Sequence, residues 1–80
     1  MSTLQEAAAL YDEKEYTRAI PLLEELATAG DTQAMYLLGN IYTNGLGVPA
    51  DKRQGNAWYY QAAQFGHPEA AKMIAKSMMW

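Results

Sequence analysis

Residues 34–70 read AMYLLGNIYTNGLGVPADKRQGNAWYYQAAQFGHPEA, and this stretch decides the fold of the 80-residue chain. The segments on both sides of its central loop are rich in alanine and other residues that favour helix. The loop, residues 42–51, contains two glycines, an asparagine and a proline, which interrupt helices. Because no stretch alternates with period two, strands are not expected. The sequence therefore predicts an all-α fold.

Local start and stop signals divide the chain into five helices. Thr3 and Glu6 form a capping-box pattern, Asp51 and Gln54 form a similar one, and Asp31 is a third N-cap candidate. Glycines after the apolar segments mark helix ends. The expected helices run from Thr3 to about Lys14, from residues 16–17 to Gly30, from Asp31 to residues 42–43, from Asp51 to Gly66, and from Pro68 to Trp80.

The chain contains an internal repeat. Gly30 and Gly66 lie 36 positions apart, and each follows an alanine by three residues and precedes a new helix. The same shift pairs further residues: Leu22 with Trp58, Glu15 with Asp51, Ala27 with Ala63, Ala34 with Ala70, and Leu38 with Ile74. One antiparallel helix pair is therefore used twice, and a lone fifth helix follows.

The loop that contains Gly45 and Gly47 has two interpretations. Its G-x-G pattern suits a phosphate-binding loop, but such a loop needs a preceding strand and a helix directly after the glycines. Here a helix precedes the loop and Pro49 intervenes. In the first pair, Tyr11 and Ala19 are eight positions apart. Their equivalents in the second pair, Tyr42 and Gly55, are thirteen positions apart, so the loop is a five-residue insertion. We therefore expect a structural turn in which Leu46 and Val48 pack inward.

Residues 34–70 resemble the Sel-one-like repeat, a close relative of the tetratricopeptide repeat, and residues 7–33 resemble the shorter tetratricopeptide form. The resemblance implies a right-handed α–α superhelix (solenoid) of about two and a half repeats, divided as residues 1–30, 31–66 and 67–80. Two departures are Gly55, where the family usually has alanine, and Ala7-Ala8 in place of Leu-Gly. The matching residues are Ala34, Leu38-Gly39, Tyr42, Gly45, Gly47-Val48, Asp51, Trp58-Tyr59, Ala62-Ala63 and Gly66-His67.

The resemblance also implies a binding surface, because in similar proteins the first helix of each pair lines a concave groove. Tyr36 lies on the other side of its helix from Leu38, and polar residues with an aromatic suit recognition of a protein or peptide. Ordinary polar surface is the alternative. Carried over by position, the groove residues are Gln5, Asp12, Gln33, Tyr36, Asn40, Thr43, Lys72, Lys76 and Met79.

Charge and composition narrow the classes of partner. Residues 1–40 hold seven acids and two bases, a net charge of −5, whereas residues 41–80 hold two acids and four bases, a net charge of +2. An acidic chain without a basic stripe argues against nucleic-acid binding, and no apolar run is long enough to span a membrane. The absence of cysteine suits a reducing compartment, and the acidic N-terminus does not fit a signal peptide. We therefore expect a cytoplasmic location, unless a signal was removed, and we also expect a bacterial source.

The sequence carries no pattern of catalytic residues. His67 is the only histidine, so neither a histidine-based metal cluster nor a Ser-His-Asp triad can form, and its expected role is in the turn and cap between helices. No serine lies in a nucleophile motif. We therefore predict a non-enzymatic protein without a cofactor or metal.

The last residues, KMIAKSMMW, are unusual because the end of a solenoid is normally polar. Methionine and tryptophan are favoured at interfaces, although Trp80 folding back on the fourth helix is the alternative. The leading prediction is an adaptor, regulator or inhibitor that binds a protein partner through the groove or the last helix. A homo-oligomer formed through the last helix is the second prediction. Its interface residues would be Met73, Met78, Met79 and Trp80.

Overall fold

The computed structural model describes residues 3–78, which form five helices and contain no strand. Each helix packs against the next one along the chain, and α1 also contacts α3. The predicted all-α fold of five helices is confirmed, while the predicted end at Trp80 lies outside the described residues. The helices are α1 (Leu4–Asp12), α2 (Tyr16–Thr28), α3 (Thr32–Asn44), α4 (Lys52–Gln64) and α5 (Pro68–Met78).

The predicted caps start the helices. Thr3 Oγ1 accepts a hydrogen bond from the Glu6 backbone N–H at 3.2 Å, and the Glu6 carboxylate accepts one from the Thr3 N–H, so the capping box is complete. Asp31 caps α3 through the Ala34 N–H at 3.0 Å. Asp51 likewise caps α4, but its expected capping box forms only the bond from the Gln54 N–H, at 3.1 Å.

The α2–α3 turn and the α4–α5 turn, which lie 36 residues apart in the sequence, have the same geometry. Gly30 and Gly66 adopt φ angles of 100° and 93°, and the N–H of each donates to the alanine carbonyl three residues earlier at 3.0 Å. The next residue donates to the carbonyl five positions before it. Both helices thus end in a Schellman motif, which requires a left-handed residue after the helix. Helix α2 therefore ends at Thr28 and α4 at Gln64, two residues before the predicted ends.

The α1–α2 turn uses the same hydrogen bonds without a glycine. Helix α1 ends at Asp12 rather than near Lys14, because Lys14 adopts a φ of 63° and cannot continue the helix. Its N–H donates to the Tyr11 carbonyl at 3.0 Å, and the following N–H donates to Leu10 at 2.8 Å. Among the described residues, Lys14 is the one non-glycine residue with positive φ.

Helix α3 lies at the centre of the fold. It packs against α2 on one side, α4 on the other, and part of α1. It therefore supplies more residues of the apolar core than any other helix, while Leu23 and Tyr59 come from the helices on either side. The buried residues of α3 are Ala34, Met35, Leu37, Leu38, Gly39 and Ile41.

Two glycines allow α3 and α4 to pack at very short range. A β-carbon on Gly39 would overlap the aromatic ring of Tyr59, which lies directly against the Gly39 backbone. A β-carbon on Gly55 would collide with the Thr43 hydroxyl and would lie 2.8 Å from the Thr43 nitrogen. The family departure at Gly55 is therefore a close-contact position, because even alanine would separate the helices.

The inserted loop packs as a structural turn. Gly45 ends α3 in the left-handed region, and Gly47, at a φ of 72°, lies so close to α2 that a β-carbon there would be 2.8 Å from the Tyr16 β-carbon. Leu46 and Val48 pack against the core, as expected from the sequence. The loop N–H groups at residues 45 and 46 bond to the carbonyl of Ile41.

Replacing Lys14 with glycine should stabilise the fold. Glycine adopts positive φ without the steric cost that a β-carbon imposes, so Lys14→Gly should raise the free energy of unfolding by about 1 kcal/mol. Urea unfolding followed by circular dichroism measures the change. Lys14→Ala is the matched control, because it removes the same charge but keeps a β-carbon. Equal stabilities of the two variants would contradict the prediction.

Replacing Gly39 with alanine should destabilise the fold, although alanine favours helix. The added β-carbon must displace the Tyr59 ring, an overpacking cost of about 2 kcal/mol. Tyr59→Leu should recover part of this loss in the Gly39→Ala background, because a smaller side chain leaves room for the methyl group. A double-mutant cycle in urea measures the coupling between the two residues. Additive effects of the two substitutions would show that the Gly39 backbone does not limit the helix spacing.

Candidate functional site

A hydrogen-bonded cluster joins α1, α3 and α4 at Asn40. The Tyr59 hydroxyl donates to Asn40 Oδ1, and Asn40 Nδ2 donates to the Tyr11 hydroxyl oxygen at 3.3 Å. Tyr11 also contacts Tyr16 of α2 edge to face, with ring centroids 5.5 Å apart. Asn40 thus uses both ends of its amide to fix two neighbouring helices, which engages its oxygen and one of its two N–H groups.

A second cluster joins α3 to the start of α5. The Tyr36 ring stacks on the His67 imidazole, with centroids 4.6 Å apart and planes inclined by 17°. His67 Nε2 lies 2.7 Å from Gln33 Oε1, and His67 Nδ1 accepts a hydrogen bond from the Ala70 N–H at 3.2 Å. Because Nδ1 accepts, the proton of a neutral ring is on Nε2, which donates to Gln33.

His67 is the N-cap of α5, at the position that Asp31 occupies before α3. Each of these residues bonds through its side chain to the backbone N–H three residues later. The histidine side chain is only 8% exposed, and its ring stacks on Tyr36 and bonds to Gln33 of α3. The expected role of His67 in the turn and cap is confirmed, and the structure adds a contact between repeats.

An open cleft of about 240 Å³ is lined by residues of α3 and α5. Tyr36 and Met73, both half-buried, form its apolar part, while Glu69, Lys72 and Lys76 form a charged rim. An adjoining hollow shares Met73 and Lys76. Its other lining residues are Thr43, Asn44, Lys52, Asn56, Tyr59 and Ser77. We name these two hollows together the concave cleft.

The concave cleft combines an apolar floor with a basic rim. Its two hollows contain three lysines, namely Lys52, Lys72 and Lys76, against one acid, Glu69. Lysine side chains can cover apolar surface with their methylene stems while their ammonium groups remain in water. The arrangement can therefore bind an apolar side chain and a carboxylate at the same time.

Burial changes the acid–base behaviour of three tyrosines. Loss of solvent contact raises the pKa of Tyr11 and of Tyr59 above 10.0, because an ionised phenolate is poorly solvated inside the helix contacts. The same cause raises the pKa of Tyr42. Among these three tyrosines, Tyr59 also lines the concave cleft.

The structure brings together some of the predicted groove residues and separates others. Tyr36, Lys72 and Lys76 line the concave cleft together, and Thr43 lies in its adjoining hollow. Gln5 and Asp12 are exposed on α1 outside the cleft, and Gln33 bonds to His67. Met73, predicted as an interface residue, lies in the floor. The side chain of Met78 and the whole of Met79 and Trp80 lie outside the described residues.

Sequence reasoning missed an apolar groove between α2 and α4. Tyr60 and Phe65 are 58% and 67% exposed and line it together with Trp58 and Met35. The 36-residue shift was the available signal, because it pairs these two aromatic residues with Glu24 and Ala29, which are both exposed. We name this surface the outer groove.

Neither a metal site nor a membrane span is found within residues 3–78. No three acidic or histidine side chains there are placed to hold a metal ion. None of the five helices has the length and apolar character that crossing a bilayer requires.

Comparison with known proteins identifies the repeat. Residues 32–67 match the Sel1 repeat. Chitin synthase regulatory factor 3 of Schizosaccharomyces pombe is 34% identical to the chain over 53 residues, which cover 66% of this chain and 6% of that protein. No solved structure matches. The chain therefore contains a Sel1 repeat at residues 32–67, as the resemblance predicts, and Sel1 repeats generally mediate protein–protein interactions.

The stability of the fold should fall at alkaline pH. A tyrosine whose pKa is raised in the folded state contributes stability that is fully present below the unfolded pKa of about 10 and is lost as pH rises through the folded pKa. The free energy of unfolding should therefore be flat from about pH 8 to pH 9 and decline above pH 10. Urea unfolding at each pH measures it.

Tyr11→Phe is the informative variant for this prediction, because the ring remains and only the ionisable hydroxyl is lost. Its stability should decline less steeply above pH 10 than that of the parent chain. An equally steep decline in both proteins would show that Tyr11 does not contribute to the alkaline transition.

Proposed function

We propose that this chain is a non-catalytic protein-interaction module that binds a protein or peptide partner through the concave cleft, as an adaptor, regulator or inhibitor. The observation that carries this proposal is the cleft itself, where the apolar Tyr36 and Met73 are rimmed by lysines. The Sel1 repeat and the likeness to a regulatory factor support a binding role rather than an enzymatic one.

The scaffold is suited to this role because the clusters behind the cleft are rigidly held. The stack of Tyr36 on His67 and the hydrogen bond from Tyr59 to Asn40 fix the cleft floor to three helices. A preorganised surface loses less entropy on binding than a mobile one. Tyr36 therefore both lines the partner site and supports it, and Tyr36→Ala would remove a lining side chain and the stack on His67 together.

A homo-oligomer formed through the last helix stays a prediction, since three of its four proposed interface side chains lie outside the described residues. The cytoplasmic location and the bacterial source likewise stay predictions.

A capture experiment with matched variants tests the proposed site. Met73→Glu places a carboxylate in the apolar floor, and Lys52→Glu reverses one charge on the rim without touching the core. Each should reduce the capture of the specific partner from an extract of the source organism by about tenfold. Quantitative mass spectrometry of the proteins retained on the immobilised chain measures the effect, and circular dichroism verifies the fold.

Phe65→Glu is the matched control, because it places the same charge in the outer groove. It should retain the partner at the level of the unsubstituted chain. If Phe65→Glu abolished capture while Met73→Glu and Lys52→Glu retained it, the binding site would be the outer groove and the proposal for the concave cleft would be wrong.

A further inference from the structure

One stripe of α5 corresponds to the stripe of α3 that α4 covers. On α3 the stripe includes Gly39, which contacts the Tyr59 ring, and Asn40, which bonds to the Tyr59 hydroxyl. It also includes Tyr36, whose ring centroid lies 5.8 Å from that of Tyr59. Because the repeat length is 36 residues, each position has an equivalent on α5. The equivalents of Tyr36, Gly39 and Asn40 are Lys72, Ala75 and Lys76.

The equivalent stripe on α5 is uncovered. Lys72, Ala75 and Lys76 are all exposed, and no described helix packs on them in the way that α4 packs on α3. We name these three residues the α5 stripe. It has the shape of a helix-binding surface, with a small residue at the point of closest approach and longer side chains on both sides.

On the other side of α5, the surface equivalent to the outer groove is also incomplete. Between α2 and α4 its lining includes Ala27, Thr28 and Met35, and α4 forms its second wall. The equivalents of those three residues, 36 positions later, line a smaller hollow beside α5. Within the described residues that hollow has no second wall. One helix laid along α5, as α4 lies along α3, would complete both surfaces.

The residue at the centre of the stripe indicates the side chain that such a helix would present. In the α3–α4 pair, glycine at position 39 admits the large ring of Tyr59. The α1–α2 pair lacks the five-residue loop, and when the loop is left out of the count the residue equivalent to Gly39 is Ala8. The residue equivalent to Tyr59 in that pair is the fully buried Leu23. Since α5 also has alanine, at Ala75, leucine fits the space better than tyrosine.

The charge of the α5 stripe indicates the charge of the helix. Lys72 and Lys76 are one helical turn apart on both sides of the alanine, so their ammonium groups lie along the same face. A basic helix would be repelled there, whereas carboxylates beside the contacting leucine would pair with both lysines.

We propose that an acidic amphipathic helix of a partner protein docks along the α5 stripe, in the position that α4 takes on α3, with a leucine against Ala75. This inference rests on the proposed interaction function and names the class of partner. It differs from binding in the concave cleft alone, because Ala75 lies outside both hollows of that cleft.

Helix α2 of this chain provides a defined probe. A peptide of residues 15–31 contains Leu23, has four acids and one arginine, and so carries a net side-chain charge of −3. Pro21→Ala in the peptide removes a helix-breaking residue, and blocked termini remove the terminal charges. The control peptide carries Glu24→Lys and Glu25→Lys in addition, which changes its net charge from −3 to +1.

Fluorescence anisotropy measures binding of the labelled peptides to the 80-residue chain, and amide NMR shifts locate the contact. The acidic peptide should bind at least about tenfold more tightly than the control peptide. The perturbed amides should lie on α5. Lys72→Glu with Lys76→Glu should weaken binding of the acidic peptide about tenfold, and Ala75→Leu should weaken it by obstructing the closest approach. All three positions are exposed, and circular dichroism verifies that the variants fold.

The outcomes separate this inference from the proposed function. Equal binding of the two peptides, binding that the α5 variants leave unchanged, or no binding at millimolar peptide would overturn the acidic-helix inference. If Met73→Glu and Lys52→Glu still abolished capture of a partner, the proposed function would stand without it. Light scattering tests whether a second copy of the chain occupies the α5 stripe. A dimer that Lys72→Glu with Lys76→Glu dissociates would also overturn the inference.

Discussion

The contact between the Gly39 backbone and the Tyr59 ring is the constraint on which the rest of the structure depends. It brings α3 and α4 together at very short range, and it places the Tyr59 hydroxyl where Asn40 can accept its hydrogen bond. Asn40 then extends the connection to Tyr11 of α1. A single close contact thereby determines the position of three helices and the floor of the concave cleft.

The turn and the helix cap that end the second repeat have the same geometry as those that end the first, but they use different residues. The glycine turns are nearly identical at Gly30 and Gly66, but the cap after the second is a histidine instead of an aspartate. The exchange has a consequence for packing between the repeats, since an imidazole can stack on Tyr36 whereas a carboxylate cannot. In an array of helix pairs that contact only their neighbours, such substitutions connect one repeat to the next.

Most of the fold could be predicted from the sequence because its signals are local. The caps at Thr3, Asp31 and Asp51 depend on residues three positions apart, and the glycine after a helix marks the turn in the sequence itself. The α1–α2 turn was predicted less accurately. Lys14 takes the left-handed conformation without the glycine that would reveal it, because the packing of α1 on α2 outweighs the local cost.

The candidate site was predictable only in part. The sequence grouped Tyr36, Lys72 and Lys76 correctly on the first helices of successive pairs, since helical register decides that grouping. It could not show that Asn40 and Gln33 are engaged in hydrogen bonds between helices. The 36-residue shift marks Tyr60 and Phe65 as exposed, but it could not show the groove that they line, because that groove depends on how α2 and α4 are spaced across α3.

The sequence by itself determined the number of helices, their caps, the 36-residue repeat and the inserted loop, because each of these follows from short-range geometry along the chain. Only the tertiary structure decided which polar residues remain at the surface and which hold the helices together. That division depends on the distances between helices, and those distances are fixed by contacts between residues far apart in the chain, such as Gly39 with Tyr59 and Gly55 with Thr43.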